Sequence, residues 1–110
     1  MSFENEMMGR ARNYTTAAAE VAQIKSGPGR LLALEVQNVN AATRFLWLFD
    51  NTASSGTVLI APIRCPTGDG VRIVFPVPRA FSVGLRWNAS DTVAFNSSGG
   101  ADLIVTAQYI

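Results

Sequence analysis

Asn38-Val39-Asn40-Ala41-Ala42-Thr43-Arg44-Phe45-Leu46-Trp47-Leu48-Phe49-Asp50-Asn51 reads as a turn, a strand and a second turn. The Asn-x-Asn-Ala-Ala head suits left-handed or Asx-turn backbone, because a short amide side chain can bond its own main chain two residues on. From Arg44 to Asp50 the side chains alternate: Leu46 and Leu48 point one way, Phe45, Trp47 and Phe49 the other. Both faces are apolar, which predicts burial on both sides. The alternation does not choose which face is the core. A domain this small has one core, so the remaining face is expected to meet another chain.

Upstream, Leu31 to Gln37 alternates with Leu32, Leu34 and Val36 inward and Ala33, Glu35 and Gln37 outward. Gly27-Pro28-Gly29 before it is a turn. It is not a phosphate loop, since Arg30-Leu31 stands where Lys-Ser/Thr would follow the glycines. The alanines between Tyr14 and Ser26 permit a short helix, but Val21 to Lys25 alternates better as an edge strand.

Downstream, Thr52 to Thr57 is a polar loop and Val58 to Cys65 a strand whose Pro62 cannot donate to a ladder, which places it at an edge or a bulge. Pro66 to Gly70 holds an Asp-Gly pair suited to a tight turn. Val71, Ile73 and Phe75 share one face of a strand that Pro76 and Pro78 are expected to end. Ala80 to Trp87 reads as one strand with Phe81, Val83, Leu85 and Trp87 inward. Asn88 to Asp91 is a turn, Thr92 to Phe95 a short strand, Asn96 to Gly100 a flexible link, and Leu103 to Tyr109 the last strand.

Seven or eight short strands separated by Gly, Pro and Asn turns predict an all-β fold, an antiparallel β-sandwich or barrel. The expected form is a jelly-roll-like sandwich over residues 14–110, preceded by an extended N-terminal arm at 1–13. Its expected core is Leu32, Leu34, Val36, Leu46, Leu48, Ile73, Phe75, Phe81, Val83, Leu85, Val105 and Tyr109.

Composition narrows the function. Hydrophobic residues make up 48% of the 110 and charged residues 15%, against a usual ~25%. So lightly charged a surface is expected to be covered by partners. A net charge of +1 argues against nucleic acid, which needs a basic surplus. Eight arginines stand against the single Lys25, which fits interfaces, where guanidinium bonds in pairs, as well as codon bias. Cys65 has no partner for an internal disulfide and lies in an apolar run, as a small core hydrophobe. Glu4, Glu6 and Arg10 interrupt any secretion signal, and no apolar run is long enough for a membrane helix. A soluble protein made in a host cytoplasm is expected.

The chain has no histidine, so no histidine-dependent triad or histidine metal site can be built, and its acids are scattered without a paired motif. No catalytic residue, metal site or cofactor is expected. Asp50, Asp69 and Asp91 fit turn formation better than a calcium site, because no run has ligand spacing. In the arm, Phe3, Met7 and Met8 can enter shallow apolar pockets, and Arg10 and Arg12 can bond carboxylates or carbonyls of a neighbour.

Ile24-Lys25, then Gly29-Arg30-Leu31, the 38–50 pattern Asn-x-Asn-Ala-Ala-x-Arg-Phe-Leu-x-Leu-Phe-Asp, Phe75-Pro76, and Ala80-Phe81-Ser82-x-Gly84 together resemble small β-domain virion proteins of tailed bacteriophages. Capsid cement or decoration proteins are among these. The resemblance runs from Ile24 to Ile110 and implies a homo-trimer or homo-dimer on the capsid surface of the virion, bound to the major capsid protein. Phe3, Met7, Met8, Arg10, Arg12, Phe45, Trp47 and Phe49 are the candidate partner-binding residues. The rival reading is a tail or head-fibre module that binds host glycans on an exposed aromatic platform. A solvent-open aromatic with polar neighbours would favour the glycan, and burial of that aromatic against protein would favour assembly.

Overall fold

A computed structural model describes residues 11–68 and 70–110. Eight strands form, and no helix occurs among the described residues: β1 Arg12–Thr15, β2 Val21–Ser26, β3 Gly29–Asn38, β4 Arg44–Phe49, β5 Val58–Cys65, β6 Gly70–Phe81, β7 Gly84–Ser90 and β8 Leu103–Tyr109. They make two four-stranded antiparallel sheets, sheet A in the order β1-β8-β3-β6 and sheet B in the order β2-β7-β4-β5. Every connection except β4–β5 carries the chain from one sheet to the other. The architecture is an all-β sandwich.

Its core is the interface between the sheets. Leu31, Leu34 and Val36 of β3, with Leu103, Val105 and Ala107 of β8, face Leu46 and Leu48 of β4, Ile63 and Cys65 of β5, and Leu85, Trp87 and Ala89 of β7. Each large aliphatic side chain hidden here contributes about 1.5–3 kcal/mol of hydrophobic stabilisation. Trp87, fully buried, stands opposite Leu48 on one neighbour and Ala22 on the other. The leucine face of β4 is therefore the core face. Ile73, Phe75 and Tyr109 pack against the rim of the cluster, half-buried.

The structure corrects several expectations. Leu31 rather than Leu32 begins the inward set of β3. The register of β3 slips against both β6 and β8 between Leu31 and Ala33, so Leu32 is a bulge residue, buried but outside the inter-sheet cluster. The prolines do not end β6; it runs on to Phe81 as the edge of sheet A, where missing N–H donors cost no ladder bonds. Residues 75–78 bulge out of it, between Val74, which opposes Ala33, and Arg79, which opposes Leu31.

Ala80 to Trp87 is two strands, because the chain turns at Ser82-Val83 and changes sheet. The Asp50 carboxylate fastens that turn by accepting N–H bonds from Ser82 (2.9 Å), Val83 (2.8 Å) and Gly84 (3.4 Å). Val83 is thus 51% exposed, not core. Thr92 to Phe95 is a series of bends rather than a strand. Arg12 and Asn13, expected in the arm, pair with Tyr109 and Gln108 as part of β1, and residues 1–10 lie outside the described residues.

Other readings match the observed elements. β2 is an edge strand, and β5, carrying Pro62, is both an edge and bulged, with Leu46 opposite Ile63 and Leu48 opposite Ile60. The Asn-x-Asn head is a double Asx turn. Asn38 Oδ1 accepts the Asn40 N–H at 2.8 Å, and Asn40 Oδ1 accepts that of Ala42 at 2.9 Å. No described non-glycine residue takes a positive φ, so the left-handed option goes unused.

Candidate interaction surface

The opposite face of β4 carries the three aromatics singled out from the sequence. Across the β4–β7 ladder Phe45 opposes Ser90, Trp47 opposes Asn88 and Phe49 opposes Arg86. This face is not bare. Phe95, from the bends after β7, packs edge-on against Trp47 and Phe49, with centroids 5.5 and 5.3 Å away, while Trp47 and Phe49 stack at 6.2 Å. Phe49 is only 3% exposed, so it offers no surface of its own in this conformation, and Phe45 and Trp47 are half-buried.

A chain of polar bonds holds the covering loops down. Arg86 Nε donates to Ser54 Oγ (2.9 Å), and Ser54 Oγ donates to Asn88 Oδ1 (2.9 Å). Asn88 Nδ2 donates to Ser97 Oγ (2.9 Å), which donates in turn to Glu20. Loop 51–57 and segment 91–98 are both tied by these bonds to the outer side of β7. Ser90 adds a second anchor: its hydroxyl donates to the Thr92 carbonyl at 2.8 Å and accepts the Asn96 N–H at 3.0 Å. Asn88 and Ser90 are buried, which is tolerable only because they are bonded.

An apolar rim stays open. Val93 is 61% exposed and Phe95 37%, both on the segment that covers Trp47. Sequence reading missed Phe95 because it was placed in a strand, where it had no reason to fold back over β4. The signal available was a large aromatic in a stretch of small and polar residues, Asp91 to Gly100.

Of the candidate partner-binding residues, the structure brings Trp47 and Phe49 together with Phe95. It places Phe45 one row away on β4, beside exposed Arg64 of β5. Arg12 is exposed on β1, in the other sheet. Phe3, Met7, Met8 and Arg10 lie outside the described residues.

The acids serve the fold. Burial pushes the Asp50 carboxyl up, but the N–H bonds from Val83, Ser82 and Gly84 outweigh it and hold the group below the ordinary carboxylate value. Asp102 behaves alike. Burial raises it, bonds from Arg44, Ser98 and Asn40 together with the Arg44 charge outweigh that, and the result is a lowered pKa. Its two oxygens accept from Asn40 Nδ2 at 2.7 Å and Arg44 Nε at 2.8 Å, clamping the 38–44 turn to the start of β8. Asp91 accepts from Asn96 Nδ2 at 2.7 Å. Asp69 lies outside the described residues, among which no three His, Cys, Asp or Glu side chains gather into a metal-sized group. Burial pushes the Cys65 thiol up to about 11, against a weaker opposing bond from the Leu46 backbone. No described helix is long and apolar enough to cross a membrane. No protein-family model matches the sequence, and no curated protein matches it.

Proposed function

We propose that the chain is a non-enzymatic phage virion protein of the capsid decoration or cement class. On this reading it binds the outside of the shell and stabilises contacts between major capsid subunits. Strand order carries the reading. We read the orders β1-β8-β3-β6 and β2-β7-β4-β5 as a hairpin rolled into two facing sheets, the double Greek key of a jelly roll, an arrangement that recurs in viral capsid domains. Fold alone does not fix a function. The site chemistry adds support, since Asp50, Asp102, Asn38 and Asn88 spend their polar groups on fastening turns and loops rather than on a reaction centre.

Attachment is assigned to the Val93–Phe95 rim over Trp47 and to residues 1–10, and the sandwich acts as the rigid block between them. Several weak contacts then add up, because each after the first is effectively intramolecular. Phe95 of the same chain occupies the outer face of the β4 aromatics, so they do not form the solvent-open platform that the glycan alternative requires. A homo-trimer or homo-dimer formed through this rim is part of the proposal.

The test is co-sedimentation of the purified protein with empty capsids of its phage. Val93→Lys should leave the melting temperature within a few degrees of wild type and weaken capsid binding. Deleting residues 2–10 should do the same, whereas a longer deletion would remove Arg12 from its pairing with Tyr109. Wild-type protein that stays in the supernatant, or a virion reconstruction that places this density in the tail, would overturn the assignment.

A further inference from the structure

The middle of sheet A's outer face, unlike that of sheet B, is bare: none of the side chains in the two rows that cross it is buried. Two rows of side chains cross it from edge to edge. Asn13, Gln108, Ala33 and Val74 stand in one row, and Thr15, Thr106, Glu35 and Arg72 in the next. Rows two residues apart on a strand lie roughly 6.8 Å from each other, and neighbouring strands about 4.8 Å. Ala33, the shortest side chain of its row, sits among longer ones. The result is a depression of about 150 Å³ lined by Asn13, Ala33, Glu35, Arg72, Thr106 and Gln108. That volume is well below the ~300–1,000 Å³ of drug-sized pockets and suits a ligand of one ring.

Of the polar groups around it, the Thr106 hydroxyl accepts a bond from Thr15 Oγ1 at 3.3 Å, and the others are uncommitted. Among the described residues the side chains of Asn13, Glu35, Arg72 and Gln108 make no hydrogen bond, whereas those of Asn38, Asn40, Asn51 and Asn88 all do. Glu35 and Arg72 face each other directly across β3 and β6, yet the ion pair found among the described residues is Arg44–Asp102. Their charged ends stand apart, with the depression between the rows.

We propose that this depression binds a neutral sugar ring. A carboxylate only accepts hydrogen bonds, a guanidinium only donates, and amides and hydroxyls do both. Vicinal hydroxyls present a donor and an acceptor side by side, so they complement every member of this set at once. An anionic ligand would meet Glu35 and a cationic one Arg72. The Ala33 methyl, with exposed Val74 beside it in the row, supplies an apolar strip for the C–H face of the ring. Because the site is open and the ligand small, the expected dissociation constant is on the order of millimolar. This surface lies in the other sheet from the Val93–Phe95 rim, so the proposal stands or falls separately from capsid attachment.

The experiment is amide-shift mapping by NMR on the full chain. It is titrated to about 100 mM, well above that expected constant, with glucose, galactose, mannose, N-acetylglucosamine and rhamnose in turn, then with glycine and inorganic phosphate. At least one sugar should shift amides clustered on Asn13, Ala33, Glu35, Arg72, Thr106 and Gln108. Ala33→Phe, on an exposed strand face that accepts an aromatic, should keep the dispersed spectrum and abolish those shifts. Glu35→Gln should weaken them several-fold. No clustered shift with any of the five sugars would overturn the proposal. So would larger shifts at the same amides with phosphate or glycine than with any sugar, or unchanged binding by a folded Ala33→Phe.

Discussion

Replacing Asp102 with Asn tests the joint on which the β3–β4 turn depends. The Asp102 carboxylate is 6% exposed and bonds Arg44 at 2.8 Å and Asn40 at 2.7 Å. Removing one partner of a fully buried ion pair costs about 3–5 kcal/mol, because the other charge is left without compensation. The Arg44 side chain keeps 18% of its exposure, so water recovers part of that loss. An Asn can still accept one bond. The expected net cost is about 2–3 kcal/mol, which for a domain of this size lowers the melting temperature by roughly 10–20 °C. The pH dependence sharpens the test. The folded-state pKa of Asp102 is depressed, so its contribution is fully present above the unfolded value of 3.8 and is lost as pH falls through the folded value. Urea unfolding near neutral pH should therefore show the full gap between wild type and Asp102→Asn, and the gap should close on acidification below 3.8. A double-mutant cycle with Arg44→Met should return most of the loss as coupling between the two residues. A loss under about 0.5 kcal/mol, the level of an ordinary surface substitution, or a gap that persists in acid, would refute the clamp.

Asp50→Ala removes the acceptor that fastens the Ser82–Gly84 turn; because the site is open to water, the expected cost is about 1 kcal/mol, read by chemical denaturation. Gly84→Ala is expected to cost about 1–3 kcal/mol. Its Cβ would stand 2.9 Å from the Lys25 carbonyl and 3.1 Å from that of Asn51, both backbone atoms that cannot swing aside, and a melting curve reads the loss. The Cys65 thiol, buried and raised to about 11, should resist a disulfide reagent in the native protein at mildly alkaline pH and react at once in denaturant; fast native labelling would place it at the surface.

How far the fold was legible depended on whether local pattern and tertiary context agreed. They agreed at β8, where period-two alternation gives both the strand and its inward face, and at Pro62, whose missing N–H forces an edge or a bulge. At β4 alternation gives the strand, and only the packing of Leu46 and Leu48 beside Trp87 selects the core face. They parted at Ala80 to Trp87. Alternation there is regular because Phe81 and Leu85 are both buried, yet they belong to different sheets, joined by a turn that only the distant Asp50 carboxylate defines. The β3 bulge failed for a similar reason. Leu31 and Leu32 are adjacent leucines, and which one starts the inward set depends on registers against β6 and β8 that no local pattern carries. On the candidate surface, the three aromatics of β4 were visible as an outlying apolar face. Phe95, nearly fifty residues away, was not.

The two outer faces of the sandwich explain why a chain so poor in charge need not be covered everywhere by partners. Sheet B faces outward with aromatics, and a bare aromatic sheet face would invite association. The molecule answers by folding its own 51–57 and 91–98 segments over that face, pinned by Arg86, Ser54, Asn88, Ser97 and Glu20. Val93 and Phe95, with Val58 beside Phe49 on β5, remain as an exposed apolar rim, a smaller target than three bare aromatics in a row. Sheet A needs no cover, because its outward residues are mostly threonines, amides, an alanine and an opposed Glu–Arg pair, with Val74 and Ile104 as isolated apolar members. On the two proposals made above, capsid attachment and sugar contact are divided between opposite sides of the sandwich. A Val93→Lys protein that lost sugar-induced shifts on β3 and β8, or an Ala33→Phe protein that lost capsid binding, would show that the two sides do not act independently.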